Sequence, residues 1–286
     1  MPWKYSALPS RPTGTWPNGA RLALWVAVGA ESYRPDEGAT EDILPRGAAP
    51  DLVNTAWRDY GNRVGAFRLF QRLADIGIRP AVLLNTDLYH EAPEVLVSAR
   101  AAGAEIVGHG KSNSDSLPAL PEGSEATYVS QVAARIAAEE GAAPGGWSSP
   151  WLAHTPTSLT NLAAAGYRYL LDLRLDDQPV WLKTEAGLLL AIPYAAELND
   201  STTMIGRQMN AKDFADAILD EAHESLASER PVVMSVVLHS FITGQPWRLR
   251  PIAKALAQVA AMEGVWCATP SEIHASVLKN PDLAAN

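Results

Sequence analysis

The chain has 286 residues, room for one large domain or two small ones, and its 47% hydrophobic content supplies a full core and excludes global disorder. Its formal net charge is −9, with no lysine or arginine cluster that could track a phosphate backbone, so nucleic acid is excluded as an expected partner. The single cysteine, Cys267, excludes an intrachain disulfide and a cysteine-rich zinc site; its setting in "VWCAT" reads as a buried strand with an inert thiol.

The first 20 residues read as an irregular arm without the basic-then-apolar layout of a signal peptide. The first apolar run starts at Leu22 and lasts about seven residues, far short of a membrane span. A cytoplasmic, soluble protein without a membrane partner is expected.

From there strand-like apolar runs alternate with helix-period stretches. Strands are expected at 21–28, 80–85, 104–107, 188–194, 232–239 and 265–269. A helix over 62–77 is expected to bury Val64, Phe67, Phe70, Leu73 and Ile76. The helix in "PEVLVSARAAG" ends on Gly103, a C′ glycine. Amphipathic helices are expected over 124–141 and 210–229. "TPSEIHASVL" opens with Thr269 as N-cap, Pro270 at N1 and Glu272 at N3, a capping box. Continuous apolar strands separated by helices imply a parallel sheet covered on both faces. The expectation is one α/β domain over 1–286: a distorted (β/α) barrel of about seven repeats with parallel strands.

In such a barrel the chemistry sits at the C-terminal ends of the strands. Four polar clusters fall there: Glu31 with Ser32, His109 with Asn113, Asp176 with Asp177, and His239. One of these alone reads as a satisfied structural residue. Together they point to a shared site, because apolar runs ending in ionisable groups are costly without a use. Trp147, Trp151, Trp181 and Trp247 fall in loops, where they could wall a pocket for a planar or sugar-like ligand or plug the barrel mouth.

Six stretches in order, "WRDYGNRVGAFRLF", "AEIVGHGKSNSD", "GGWSSPW", "DDQPVW", "IPYAAELND" and "LHSFITGQPWR", carry a resemblance over nearly the whole chain. The sequence resembles the polysaccharide deacetylase family, in the branch similar to cofactor-independent allantoinases and cyclic-imide hydrolases. The resemblance implies a distorted barrel, hydrolysis of a non-peptide C–N bond, and a cytoplasmic homo-oligomer, a tetramer or dimer.

The departures matter as much. Metal-dependent deacetylases of the family resemble one another in an acidic pair near the first strand and a His-x-x-x-His motif. Here Glu31 stands at the ligand position, Gly29 at that of the base aspartate, and the histidine pair is reduced to His109 and Asn113. A carboxamide is a weak zinc ligand. Two alternatives follow: a weakly bound divalent metal on Glu31, His109 and Asn113, or no required cofactor, with the three acting as a hydrogen-bonding set. In either case Glu31 activates water, assisted by His109 or the metal. Asn113 orients His109, polarises the carbonyl or stabilises the oxyanion, His239 protonates the leaving nitrogen, and Asp177 orients His239 or binds a ring N–H. Arg63 and Asn199-Asp200 are candidates for positioning a small-molecule ligand. The expected function is hydrolysis of a small cyclic amide, ureide or imide. The alternatives are a metal-dependent deacetylase of an N-acetylated glycan and a non-catalytic binding protein on a degenerate barrel.

Overall fold

The computed structural model of the chain describes residues 1–285. Among them nine strands form one sheet: β1 (Leu22–Ala30), β2 (Ala81–Leu84), β3 (Glu105–Gly108), β4 (Gly146–Trp147), β5 (Tyr169–Leu170), β6 (Val180–Thr184), β7 (Gly187–Ala191), β8 (Val232–His239) and β9 (Val265–Cys267). The helices are α1 (Leu52–Tyr60), α2 (Ala66–Asp75), α3 (Leu88–Glu91), α4 (Pro93–Ala101), α5 (Glu125–Glu140), α6 (Ser158–Ala164), α7 (Ala211–Leu226), α8 (Pro246–Ala260) and α9 (Pro270–Lys279).

The strands run in the order β6-β7-β5-β4-β3-β2-β1-β8, with β9 also on β1. Every pairing is parallel except the β6–β7 hairpin, so the expected all-parallel sheet is mixed at one edge. β8 pairs with β1 from Leu22 to Gly29, whereas β9 lies beside Leu22–Leu24 and β2 beside Ala27–Ala30. Irregular chain finishes the curve at β8: Val237 N–H donates to Leu198 O, and Val233 N–H to Asp177 O. The result is an α/β distorted barrel, a mostly parallel sheet curled into a half-barrel and completed by coil.

Side-chain alternation in β1 explains its unbroken apolar run. Leu22, Leu24, Val26 and Val28 face the helices, while Ala23, Trp25 and Ala27 face the barrel interior with Tyr194, Val233 and Val237. That parity carries Gly29 and Glu31 to the interior side at the barrel mouth. At the other end Trp16 of the irregular arm is buried, its ring 6.1 Å from that of Trp266 and its indole N–H on Val232 O.

The expected strands at 21–28, 80–85, 104–107, 188–194, 232–239 and 265–269 are present as β1, β2, β3, β7, β8 and β9, with shifted ends. The two-residue β4 and β5 are too short to leave a periodic trace, and their pairing comes from neighbouring strands. The helix expected over 62–77 is divided. A π-turn, Gly61–Gly65, separates α1 from α2 and shifts the buried face to Ala66, Leu69, Phe70 and Leu73, leaving Val64 exposed.

The π-turn lies against the loop after β8. An added Cβ at Gly65 would fall 2.0 Å from Ser240 O, and one at Gly244 would fall 2.5 Å from the Gly65 Cα. Only glycine permits this approach next to His239. Gly65→Ala is therefore expected to destabilise the fold by about 1–3 kcal/mol, the usual cost of overpacking, measured by urea unfolding. An unchanged midpoint together with unchanged activity would show that the loop yields freely.

Candidate active site

Parallel strands bring their C-terminal ends to one mouth, and the register levels them: Gly29 is opposite His239, Ala30 opposite Leu84, and Leu84 opposite Gly108. Glu31, His109 and His239 follow or end these strands and converge. Glu31 Oε1 lies 3.3 Å from His239 Nε2 and 3.8 Å from His109 Nε2. Its other oxygen accepts from the Tyr33 hydroxyl at 2.6 Å. His239 Nδ1 lies 2.5 Å from Asp200 Oδ1, while Asp200 Oδ2 accepts from the His239 backbone N–H and from Thr243 Oγ1.

The charges follow from these contacts. Burial opposes an imidazolium at His239, but Glu31 and Asp200 together hold its pKa well above the ordinary histidine value. Burial would raise Glu31, but His239 first, with His109 and Tyr33 assisting, holds it below the ordinary carboxylate value. His109 has no such clamp; burial lowers its pKa and keeps it neutral. Its Nδ1 is 2.7 Å from Ser148 O, an acceptor only, so the proton resides on Nδ1 and Nε2 keeps its lone pair. The cluster is Asp200⁻, His239⁺ and Glu31⁻, beside a neutral imidazole.

Proton counting also sets the Asn113 amide. The Tyr33 hydroxyl has one hydrogen, and the Glu31 carboxylate takes it. Tyr33 must therefore accept from Asn113, which places Nδ2 at 2.9 Å from its oxygen and leaves Oδ1 buried without a hydrogen-bond partner. One of the two Asn113 N–H groups goes to Tyr33, and the residue lines the same cavity as His109 and Glu31, where its second N–H can meet a substrate oxygen. Two π-turns frame the cluster. Gly61–Gly65 presents Asn62, whose Nδ2 donates to Glu31 O at 2.8 Å, and Ser201–Gly206 follows directly on Asp200.

A cavity of about 140 Å³ is walled by Glu31, His109, His239, Asn113, Tyr194 and Trp151, among others. Trp151 and Leu152 both adopt left-handed backbone angles, φ 62° and 51°, and the Trp151 indole donates to Asn113 O. Two strained residues in succession at a cavity wall mark a position held by its surroundings.

Other expected residues lie elsewhere. Trp147 is fully buried against Tyr167 and donates to Ser149 Oγ. Trp181, on β6, packs near His274. Trp247 is exposed at the start of α8, with the Arg248 guanidinium over its ring. Arg63 is exposed beside Asp59, 3.7 Å away. Asp177 sits at the opposite end of β8 from His239, its carbonyl accepting from Val233 and its exposed carboxylate 3.4 Å from Arg174. It cannot orient His239; Asp200 does that instead. Asp176 is held by Arg11 of the N-terminal arm. Tyr33, Glu41 and Asn62 were missed. Tyr33 left one trace, its position two residues after Glu31 in "ESY"; the other two left none.

No family model matches the chain. It is 25% identical to a Schizosaccharomyces pombe protein provisionally named a polysaccharide deacetylase, with 91% of each chain covered. It is similar in structure to PuuE allantoinase, with a TM-score of 0.85, 21% identity and 95% of each chain covered. The fold is that of the polysaccharide deacetylases. A Pseudomonas aeruginosa protein given that family name with the same reserve superposes with a TM-score of 0.84 at 22% identity, covering 94% of this chain and 95% of that one. Within the polysaccharide deacetylase fold, a carbohydrate esterase of family 4 from Streptomyces lividans is more distant, with a TM-score of 0.51 at 12% identity, covering 88% of this chain and 94% of that one.

The residues present do not fit the tightly held metal of the metal-dependent deacetylases. An added Cβ at Gly29 would meet Glu31 Oε1 at 2.9 Å and His239 Cδ2 at 3.0 Å, so those two side chains fill the space of the missing aspartate. Both Glu31 oxygens are engaged, one by a phenol and one by an imidazolium. Asn113 contributes only a neutral amide oxygen, buried and a weak ligand for zinc. Of the expected ligand set only His109 Nε2 and the weakly ligating Asn113 Oδ1 are unengaged, and among the described residues no three His, Cys, Asp or Glu side chains converge as ligands. The positive charge beside Glu31 is supplied by His239. No helix among the described residues is long and apolar enough to cross a membrane.

Proposed function

We propose that the chain hydrolyses a C–N bond other than a peptide bond, in a small cyclic amide, ureide or imide. One observation carries this reading: an imidazolium clamped between two carboxylates stands beside a neutral, lone-pair-bearing histidine on the wall of a small cavity. A base and an acid coexist there because their surroundings push the two histidine pKa values apart. At about 140 Å³ the cavity suits a single small ring better than a glycan chain.

The reaction proceeds in two proton transfers. A water positioned by Glu31 Oε1 and His109 Nε2 attacks the carbonyl carbon and gives a proton to His109 Nε2. The new C–O bond places a negative charge on the carbonyl oxygen, which the His239 cation offsets. The tetrahedral species collapses with cleavage of the C–N bond, and His239 Nε2–H protonates the departing nitrogen. One water is added; the ring opens to a carboxylic acid and an N–H group. Exchange with solvent returns the proton from His109 and restores the one lost by His239. In this reading Glu31 serves as a positioning carboxylate, since its depressed pKa makes it a weak base.

The experiment is a substrate panel of hydantoin, succinimide, allantoin and N-acetylglucosamine oligomers, run before and after chelation with metal analysis of the protein. Chelator-resistant turnover of a ring substrate is the expected result. Turnover of the oligomers that chelation abolishes would instead establish the glycan deacetylase, the reading favoured by the name of the S. pombe relative. A cytoplasmic homo-oligomer accompanies the proposal, and light scattering on the purified protein tests the assembly.

A further inference from the structure

Glu41 has no role in the steps above, yet it lines the same cavity as Glu31, His109 and His239. It lies in the loop between β1 and α1, and its place is built. Buried Arg58 donates through Nη1 to Glu41 O at 2.9 Å and to Asp42 Oδ1 at 2.5 Å. Asn54 Oδ1 accepts from the backbone N–H groups of Ile43 and Leu44 at 3.1 Å each. Ser201, the residue after Asp200, donates through its hydroxyl to Glu41 Oε2 at 2.7 Å. Backbone and side chain are thus fixed from two elements.

The Glu41 carboxylate has no ion-pair partner among the described residues. Arg58 is committed to Asp42, and both ring nitrogens of His239 face Asp200 and Glu31. Burial raises the Glu41 pKa; Ser201 and His239 draw it back, and Glu31 and Asp200 add to the rise. A half-buried carboxyl without a cation is costly and needs a compensating partner. Glu31 and Glu41 line the cavity, and Asp200 stands behind His239, so three carboxylates surround one imidazolium. That balance disfavours an anionic substrate and favours a neutral one that donates hydrogen bonds.

We propose that Glu41 is the specificity-determining residue that accepts a hydrogen bond from a ring N–H of the substrate, so that the site takes rings with a free amide or imide N–H and rejects their N-alkylated forms. The inference rests on the hydrolase reading above and narrows its substrate class. A hydrogen bond to a carboxylate in a desolvated site is worth about 10–100-fold in discrimination.

The test compares kcat/KM on hydantoin and succinimide with that on their N-methyl derivatives. Wild type is expected to prefer the N–H ring by about 10–100-fold. Glu41→Leu should bring the ratio near one by losing activity on the N–H ring alone. Glu41→Gln, whose amide oxygen still accepts, should keep most of the ratio. An equal loss on N–H and N-methyl rings in Glu41→Leu overturns the inference, as does a wild type that does not discriminate. Should Glu41→Leu fail to fold, Glu41→Ser carries the same comparison. Wild-type inactivity on both N–H rings also overturns it; the allantoin and glycan arms of the panel then show whether the hydrolase reading falls too.

Discussion

Replacing Asp200 by asparagine is expected to lower kcat by about 10²–10³-fold on the ring substrate the panel identifies, with a much smaller change in KM. Asp200 is fully buried, and its two oxygens hold the ring and backbone of His239 and the hydroxyl of Thr243. An asparagine preserves the shape but removes one of the two negative charges that keep His239 protonated. The alkaline limb of the kcat/KM profile should move to lower pH in Asp200→Asn, because His239 then loses its proton earlier as pH rises. A variant with reduced kcat and an unmoved alkaline limb would show that Asp200 acts only in holding the loop.

His109→Ala is expected to cost about 10²–10⁴-fold in kcat, the range for losing a positioned general base. The sign of the pH dependence follows from the two opposite shifts. His109 is active when neutral, and burial lowers its pKa, so activity falls only as pH drops below about 6.5, the ordinary histidine value. His239 is active when protonated, and its pKa is raised, so activity falls only as pH rises above that value. The profile should be a broad plateau across neutral pH. A single limb centred on the ordinary histidine value, unchanged in His109→Ala, would sink the assignment of base and acid.

The barrel was legible in the sequence to the extent that its strands are long and apolar. β1 and β8 announced themselves through runs buried on both faces, and the Thr269–Glu272 capping box predicted the start of α9, where the Thr269 N–H donates to Glu272. The π-turn at Gly61–Gly65 was not legible, since one extra residue per turn leaves no periodic mark while the flanking turns still read as helix. Within the site, Glu31, His109 and His239 stood out because an ionisable group at the end of an apolar strand contrasts with what precedes it. Asp177 stood out for the same local reason and lies at the wrong end of the barrel.

What the amino-acid order determined by itself is local: which segments are strands and where their polar ends fall. Only the tertiary structure decided that Asp200 rather than Asp177 serves His239, that Asn113 donates to Tyr33, and that Glu41 reaches the cavity. The physical reason is range. Strand and cap signals arise from neighbours a few residues apart, whereas Asp200 and His239 are 39 residues apart, Tyr33 and Asn113 are 80 apart, and Glu41 and Ser201 are 160 apart. Such contacts are set by how loops cross the barrel mouth. The protonation states that distinguish base from acid exist only once those contacts have formed.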